Sequence, residues 1–93
     1  MQVRVPGLLR SYTGGESVVR LPVVGPEGKP ATLADALAAL DARFPGFRFR
    51  IVDEQAQVRP HIKIFVSATL VRDLATPVAA DAELMIVGAL SGG

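Results

Sequence analysis

Two hydrophobic periods divide the chain into strands and one helix. Polar and apolar residues alternate in "QVRV" (2–5), "SVVRLPV" (17–23) and "HIKIFVS" (61–67), which is typical of half-buried β-strands. A shorter run, "LVR" (70–72), predicts a short strand. The last run, "LMIVGAL" (84–90), is apolar on both faces, which favours a central position in the sheet.

Between the second and third strands the period changes to that of an α-helix. The apolar residues of "TLADALAALDARF" share one stripe, formed by Leu33, Ala36, Leu37, Leu40 and Phe44. Thr32 as N-cap and Asp35 three residues later predict a capping box, and Pro45-Gly46 ends the helix. For residues 47–60, the sequence predicts a short helical turn followed by irregular chain.

The order of elements is strand, strand, helix, strand, short strand, strand. A chain of 93 residues can cover one face of a sheet with one helix and little more. We therefore predict an α+β fold in a single domain spanning residues 1–93, with a mixed sheet of four to five strands packed on one main helix. The last strand would lie between the first and the third, and residues 90–93 would form a flexible tail. This arrangement is the β-grasp architecture of ubiquitin.

The composition excludes several kinds of chemistry. Cysteine is absent and His61 is the single histidine, so disulfides, a Cys nucleophile, a His-based metal site and a catalytic triad are not expected. A formal net charge of +1 and few aromatic residues do not predict nucleic-acid binding. No apolar run reaches the roughly 20 residues that cross a bilayer, and the first residues lack a signal-peptide pattern, which favours a cytoplasmic protein without membrane contact.

The stretch "ALSGG" follows the last strand directly. Gly93 would present its α-carboxylate outside the fold, and a carboxylate reacts with nucleophiles once it has been adenylated. Glycine has no Cβ and is free in φ, so the tail of Leu90, Ser91, Gly92 and Gly93 could extend through a narrow channel of another protein. The alternative is a terminus that simply frays, because glycine is the costliest residue to order.

"VPGLLRSYTGGE", the helix, and "IKIFVSATLVRDLATPVAADAELMIVGALSGG" together resemble the ubiquitin-like sulfur carrier family, the MoaD/ThiS group. The resemblance covers nearly the whole chain. The opening "LLRSYTGG" is most similar to the longer carriers, including the cysteine-synthesis type. Two positions depart from the family, which often has Asn in place of Ser67 and Pro in place of Gly88. Neither departure affects the terminal glycines.

The resemblance implies a carrier that is not itself an enzyme and binds no cofactor. An E1-like activating enzyme would consume ATP to adenylate the Gly93 carboxylate, and a sulfurtransferase or another sulfur donor would convert it to a thiocarboxylate. A sulfur-acceptor enzyme, such as a cysteine synthase or the large subunit of molybdopterin synthase, would then receive the sulfur. Thiamine synthesis and tRNA thiolation are further destinations that the family implies.

Three alternatives stay open at this point. The chain could be the small subunit of molybdopterin synthase, with the same tail inserted into a catalytic subunit. It could be a ubiquitin-like modifier that is conjugated through Gly93 to lysines of other proteins. It could also be a β-grasp interaction module whose terminal glycines are incidental.

The alternation of the last two long strands predicts a docking surface. Phe65, Met85 and Val87 share one face, opposite the face that contains Ile62, Ile64, Leu84 and Ile86. Because one helix covers one face, we expect the first set to form an exposed apolar patch that docks the activating and acceptor enzymes. The alternatives are that residues 45–60 cover this patch or that a bulge shifts the phase of the strand. A dimer contact through the patch is also open.

Overall fold

Residues 1–88, which the computed structural model describes, build a five-stranded sheet with two helices. In chain order the elements are β1 (Gln2–Arg4), β2 (Val18–Arg20), α1 (Leu33–Arg43), α2 (Phe47–Ile51), β3 (Ile62–Val66), β4 (Thr69–Val71) and β5 (Glu83–Gly88). A single 3-10 turn at Gly7–Leu9 lies between β1 and β2.

The strands are ordered β2-β1-β5-β3-β4 across the sheet. β5 is parallel to β1 and antiparallel to β3, while β1–β2 and β3–β4 are antiparallel pairs. The predicted mixed sheet is therefore confirmed, as is the central position of the last strand between the first and the third. This topology, with α1 as the main helix, is the predicted β-grasp.

Helix α1 begins at the predicted capping box. The Thr32 hydroxyl accepts from the Asp35 backbone N–H at 3.3 Å, and an Asp35 carboxylate oxygen accepts from the Thr32 N–H at 2.8 Å. One stripe of the helix is buried in the core: Leu33, Ala36, Leu37 and Leu40. Phe44 lies just beyond the helix as its C-cap, and Gly46 adopts a left-handed φ of 92° that turns the chain into α2.

Residues 45–60 are more regular than the sequence predicted. Phe47 and Ile51 on α2 are completely buried, and the Phe47 ring packs edge-on against Tyr12. After the helix, Val52 pairs with Val58 in an isolated β-bridge, so the prediction of irregular chain is wrong at this point. The apolar residues of this segment join the core beneath the helices, and it therefore does not cover the opposite face of the sheet.

The first two strands are shorter than predicted, and they contain three residues each. Regular pairing ends early, but backbone hydrogen bonds continue it in both directions, from Val5 N–H to Ser17 O at 2.8 Å and from Leu21 N–H to Met1 O at 3.0 Å. Val5 and Leu21 are buried, which explains why the alternation extends beyond the strands themselves. The 3-10 turn between β1 and β2 was not predicted.

A strained two-residue turn joins β3 to β4. Val66 pairs with Thr69, and both residues between them have positive φ angles, 47° at Ser67 and 73° at Ala68. Two-residue hairpins with positive φ at both positions favour Asn-Gly, because a side chain with a Cβ is disfavoured there. In the left-handed region an L-residue other than glycine costs about 1–2 kcal/mol.

We predict that Ala68→Gly stabilises the protein by about 0.5–1 kcal/mol, because relief of the left-handed strain exceeds the extra entropy of the unfolded chain. The matched control is Ala38→Gly at an exposed position of α1, which should destabilise by about 1 kcal/mol. Urea denaturation of both variants measures the two effects. A decrease in stability for Ala68→Gly would contradict the strain at this turn.

Candidate functional site

The face of the sheet that the helices leave uncovered, here called the open face, carries one continuous row of side chains. Strand register aligns one residue from each of the five strands, in the order Val18, Arg4, Met85, Phe65 and Leu70. Met85 and Leu70 are 36% and 50% exposed, and Phe65 is partly exposed. The row therefore presents apolar surface to solvent at the centre of the sheet.

The three residues that alternation placed together are neighbours in the structure. Phe65 is directly opposite Met85, and Val87, which is 38% exposed, lies two residues further along β5. We call Phe65, Leu70, Met85 and Val87 the open-face patch. Leu70 was not predicted to belong to it, because its place opposite Phe65 depends on the tight β3–β4 turn.

The other face of β5 is buried beneath the helices. Leu84 and Ile86 are 0% and 2% exposed, and Ile64, which pairs with Ile86, is 0% exposed. Adjacent residues of one strand therefore serve two different purposes, since their side chains point to opposite faces. The buried set holds the sheet on α1, and the exposed set is free to contact another molecule.

Cations surround the open-face patch. Arg4, Arg20 and Lys63 occupy outward positions of β1, β2 and β3, whereas Glu83 is the one acidic residue at such positions among the described strands. Glu83 is already engaged, with Arg4 Nε 3.0 Å from Oε1 and Gln2 Nε2 3.3 Å from Oε2. The surface therefore complements a partner with an apolar centre and acidic surroundings.

A shallow groove of about 370 Å³ connects the patch to the end of β5. Its lining includes Arg4, Arg10, Met85, Val87 and Gly88. Arg10 is oriented by a hydrogen bond from its Nε to the Val5 carbonyl oxygen at 3.3 Å. The groove therefore lies along β5 between Met85 and Gly88.

The predicted reactive tail, Leu90, Ser91, Gly92 and Gly93, lies outside the described residues. Gly88 is the last described residue, and two side chains lie near the position that a Cβ would occupy there. A Cβ added there would lie 3.4 Å from Leu8 Cδ2 and 3.7 Å from Ile62 Cδ1. These are ordinary van der Waals distances, so an alanine fits at this position.

Within residues 1–88, no group of three or more His, Cys, Asp or Glu side chains is arranged to hold a metal ion. None of the helices in this part of the chain has the length and hydrophobicity needed to cross a membrane.

The sequence matches no family model and no curated protein. Among solved structures it is similar to a chain of the BexX/CysO complex of Amycolatopsis orientalis, with 30% identity and a TM-score of 0.80 over 99% of this chain and 98% of that one. The chain belongs to the ubiquitin-like sulfur carrier family. CysO of Mycobacterium tuberculosis, described as an antigen, is 28% identical with a TM-score of 0.80, covering 96% of this chain and 98% of that one.

The family includes a protein named as a modifier. SAMP1 of Haloferax volcanii, a small archaeal modifier protein, is 28% identical with a TM-score of 0.80, and the match covers 100% of this chain and 98% of that one. These relatives are small carrier or modifier proteins rather than enzymes. One of them was solved as a complex, so a member of this family binds a protein partner.

We predict that Met85→Gln changes the free energy of unfolding by no more than about 0.5 kcal/mol, because this side chain is exposed on the open face of the carrier. Leu84→Ala, one residue earlier on the same strand, should cost about 2–5 kcal/mol because it leaves a cavity under α1. Urea denaturation compares the two variants. Similar losses for both would contradict the assignment of the two faces.

Proposed function

We propose that this chain is a sulfur carrier whose Gly93 carboxylate is adenylated by an E1-like enzyme and then converted to a thiocarboxylate. The observation that carries the proposal is the near full-length likeness to CysO at 28–30% identity. The absence of cysteine is consistent with it, because the sulfur would be carried on the tail and the protein would need no thiol of its own.

The proposed chemistry takes place at the Gly93 carboxyl group. A carboxylate oxygen attacks the α-phosphorus of ATP, pyrophosphate leaves, and an acyl-adenylate forms. A sulfide nucleophile then attacks the acyl carbon and displaces AMP, which leaves a thiocarboxylate. The thiocarboxylate sulfur then attacks an electrophilic carbon of the acceptor substrate and displaces the leaving group of that carbon, which gives a thioester. Hydrolysis of the acyl–sulfur bond returns the Gly93 carboxylate and leaves the sulfur on the acceptor as a thiol.

In this proposal the folded part of the chain provides recognition. The open-face patch docks the activating enzyme, and its cationic surroundings orient the approach of an acidic partner surface. β5 runs from the patch directly to Gly88, so a partner bound to the patch is beside the start of the tail. Gly92 and Gly93 would enter the active site of the enzyme because no Cβ obstructs them.

Cysteine synthesis is the pathway that the CysO likeness favours, with a cysteine synthase as sulfur acceptor. A molybdopterin synthase large subunit, thiamine synthesis and tRNA thiolation would use the same activated tail and differ only in the acceptor. The likeness to SAMP1 favours a second function, conjugation of Gly93 to lysines of other proteins. Both functions share the adenylation step and differ in the nucleophile that follows.

We expect a mass gain equal to the replacement of one oxygen by sulfur when the chain is incubated with its activating enzyme, ATP and sulfide. Intact-mass spectrometry measures the gain, and deletion of Gly93 should abolish it. Val24→Gln, at a residue that is 82% exposed and lies outside the groove and the open-face patch, should retain it. An unchanged mass with an enzyme that is active on another carrier would contradict the thiocarboxylate, and a lysine-linked adduct would instead indicate the modifier function.

The docking role of the open-face patch gives a separate prediction. Met85→Gln should lower kcat/KM for adenylation by about 5- to 10-fold, the loss typical of a central apolar contact in an interface. Val24→Gln is the matched control, because Val24 is 82% exposed and lies outside the patch. Pyrophosphate release measures both rates. Equal rates for Met85→Gln and the unchanged chain would show that the activating enzyme does not use this patch.

A further inference from the structure

A second surface, which is polar, is formed around two arginines outside the open-face patch. Arg50 on α2 lies over the Tyr12 ring, with its Cζ 5.7 Å from the ring centroid, and its Nε donates to the Tyr12 hydroxyl. Arg59, just before β3, lies over the Phe49 ring at 4.7 Å, and its Nε donates to the Phe49 carbonyl oxygen at 2.8 Å. Stacking and an Nε hydrogen bond therefore hold both guanidinium groups in place.

No carboxylate of residues 1–88 neutralises either arginine. Within that part of the chain the single ion pair is Arg4–Glu83 on the open face. Of the two acidic residues between the arginines in sequence, Asp53 accepts from the backbone N–H groups of Gln55 and Gln57 at 2.9 and 3.0 Å, and Glu54 is exposed and forms no ion pair within residues 1–88. The two guanidinium groups therefore keep their outer N–H donors for a molecule outside the described chain.

The arginines line two clefts that share Arg50 and His61. The larger, of about 290 Å³, extends to Leu8, Ser11, Tyr12 and Ile62, and the smaller, of about 210 Å³, to Phe49 and Arg59. Leu8 and Phe49 are each 53% exposed, so apolar side chains flank the cations. We call this surface the arginine cleft.

We propose that the arginine cleft binds an acidic peptide segment of a partner protein. Two carboxylates would pair with Arg50 and Arg59, and an apolar side chain between them would contact Leu8 or Phe49. Each guanidinium group is held over its own ring and both line the smaller cleft, so each can pair with its own carboxylate of one peptide segment. The exposed apolar side chains and the net charge of +1 favour a protein over a nucleic acid.

The position of the cleft adds a reason for a protein partner. Leu8 and Ile62 line the larger cleft, and a Cβ built at Gly88 would lie 3.4 Å from Leu8 Cδ2 and 3.7 Å from Ile62 Cδ1. A partner protein bound at this end of β5 would therefore be beside the arginine cleft. The binding proposed here does not require thiocarboxylate chemistry, so it can be tested independently of the proposed function.

The test titrates the full ¹⁵N-labelled chain with the acetylated peptide Asp-Glu-Leu-Asp-Glu and follows amide chemical shifts. We expect saturable shifts at the amides of residues 8–12, 49–50, 59, 61 and 62. An all-glutamate peptide of equal charge should bind more weakly, because it lacks the apolar contact. Shifts centred on the open-face patch, or none at all, would overturn the proposal.

Two charge-matched variants separate the cleft from net charge. The double change Arg50→Gln and Arg59→Gln should weaken peptide binding by about tenfold, while Arg20→Gln with Lys29→Gln should alter it by less than about twofold. Arg50→Lys with Arg59→Lys retains both charges and should weaken binding about threefold, because lysine lacks the planar fork of arginine. This variant also tests the proposal if the Gln pair fails to fold. Equal losses of peptide affinity in the Gln pair and its control would overturn the proposal. Inorganic phosphate that displaces the peptide and produces the same amide shifts would also overturn it.

Discussion

The pairing of β5 with β1 on one side and β3 on the other is the constraint on which the rest of the structure depends. Gln2 pairs with Glu83 and Ile64 with Ile86, so the last described strand lies in the middle of the sheet, beside the first strand. Such distant pairs close long loops and cost entropy, which burial of Leu84 and Ile86 beneath α1 offsets. Without this pairing the open-face patch would have no central strand.

The register of β5 requires more than its hydrophobic pattern. A shift by one residue would exchange the two faces, and because Met85 and Val87 are also apolar, hydrophobicity alone penalises that shift weakly. Glu83 at the start of the strand is polar, and its carboxylate accepts hydrogen bonds from the side chains of Arg4 and Gln2. The exposed Arg4–Glu83 pair contributes little stability, yet a shifted register would lose it, and it therefore favours one alignment.

Local patterns in the sequence predicted the strands and the main helix better than they predicted the contacts between them. The Thr32–Asp35 capping box and the two-sided apolarity of β5 are properties of short segments, and both predictions are confirmed. The burial of Phe47 and the contact between Arg50 and Tyr12 join residues far apart in sequence, so periodicity could not predict them. Alternation along β3 and β5 predicted that Phe65, Met85 and Val87 share one face. Leu70 and the surrounding cations could be added only from the pairing register of the strands.

The distribution of side chains separates recognition from reaction. A chain without cysteine and with one histidine has few groups that could perform chemistry, while its exposed features, the open-face patch and the arginine cleft, are suited to binding. These two surfaces differ in character, since one is apolar with cationic surroundings and the other has fixed guanidinium groups beside the half-buried Tyr12 and the exposed Phe49. An apolar interface and a pair of carboxylates impose different requirements on a partner, so the two surfaces would select different partners.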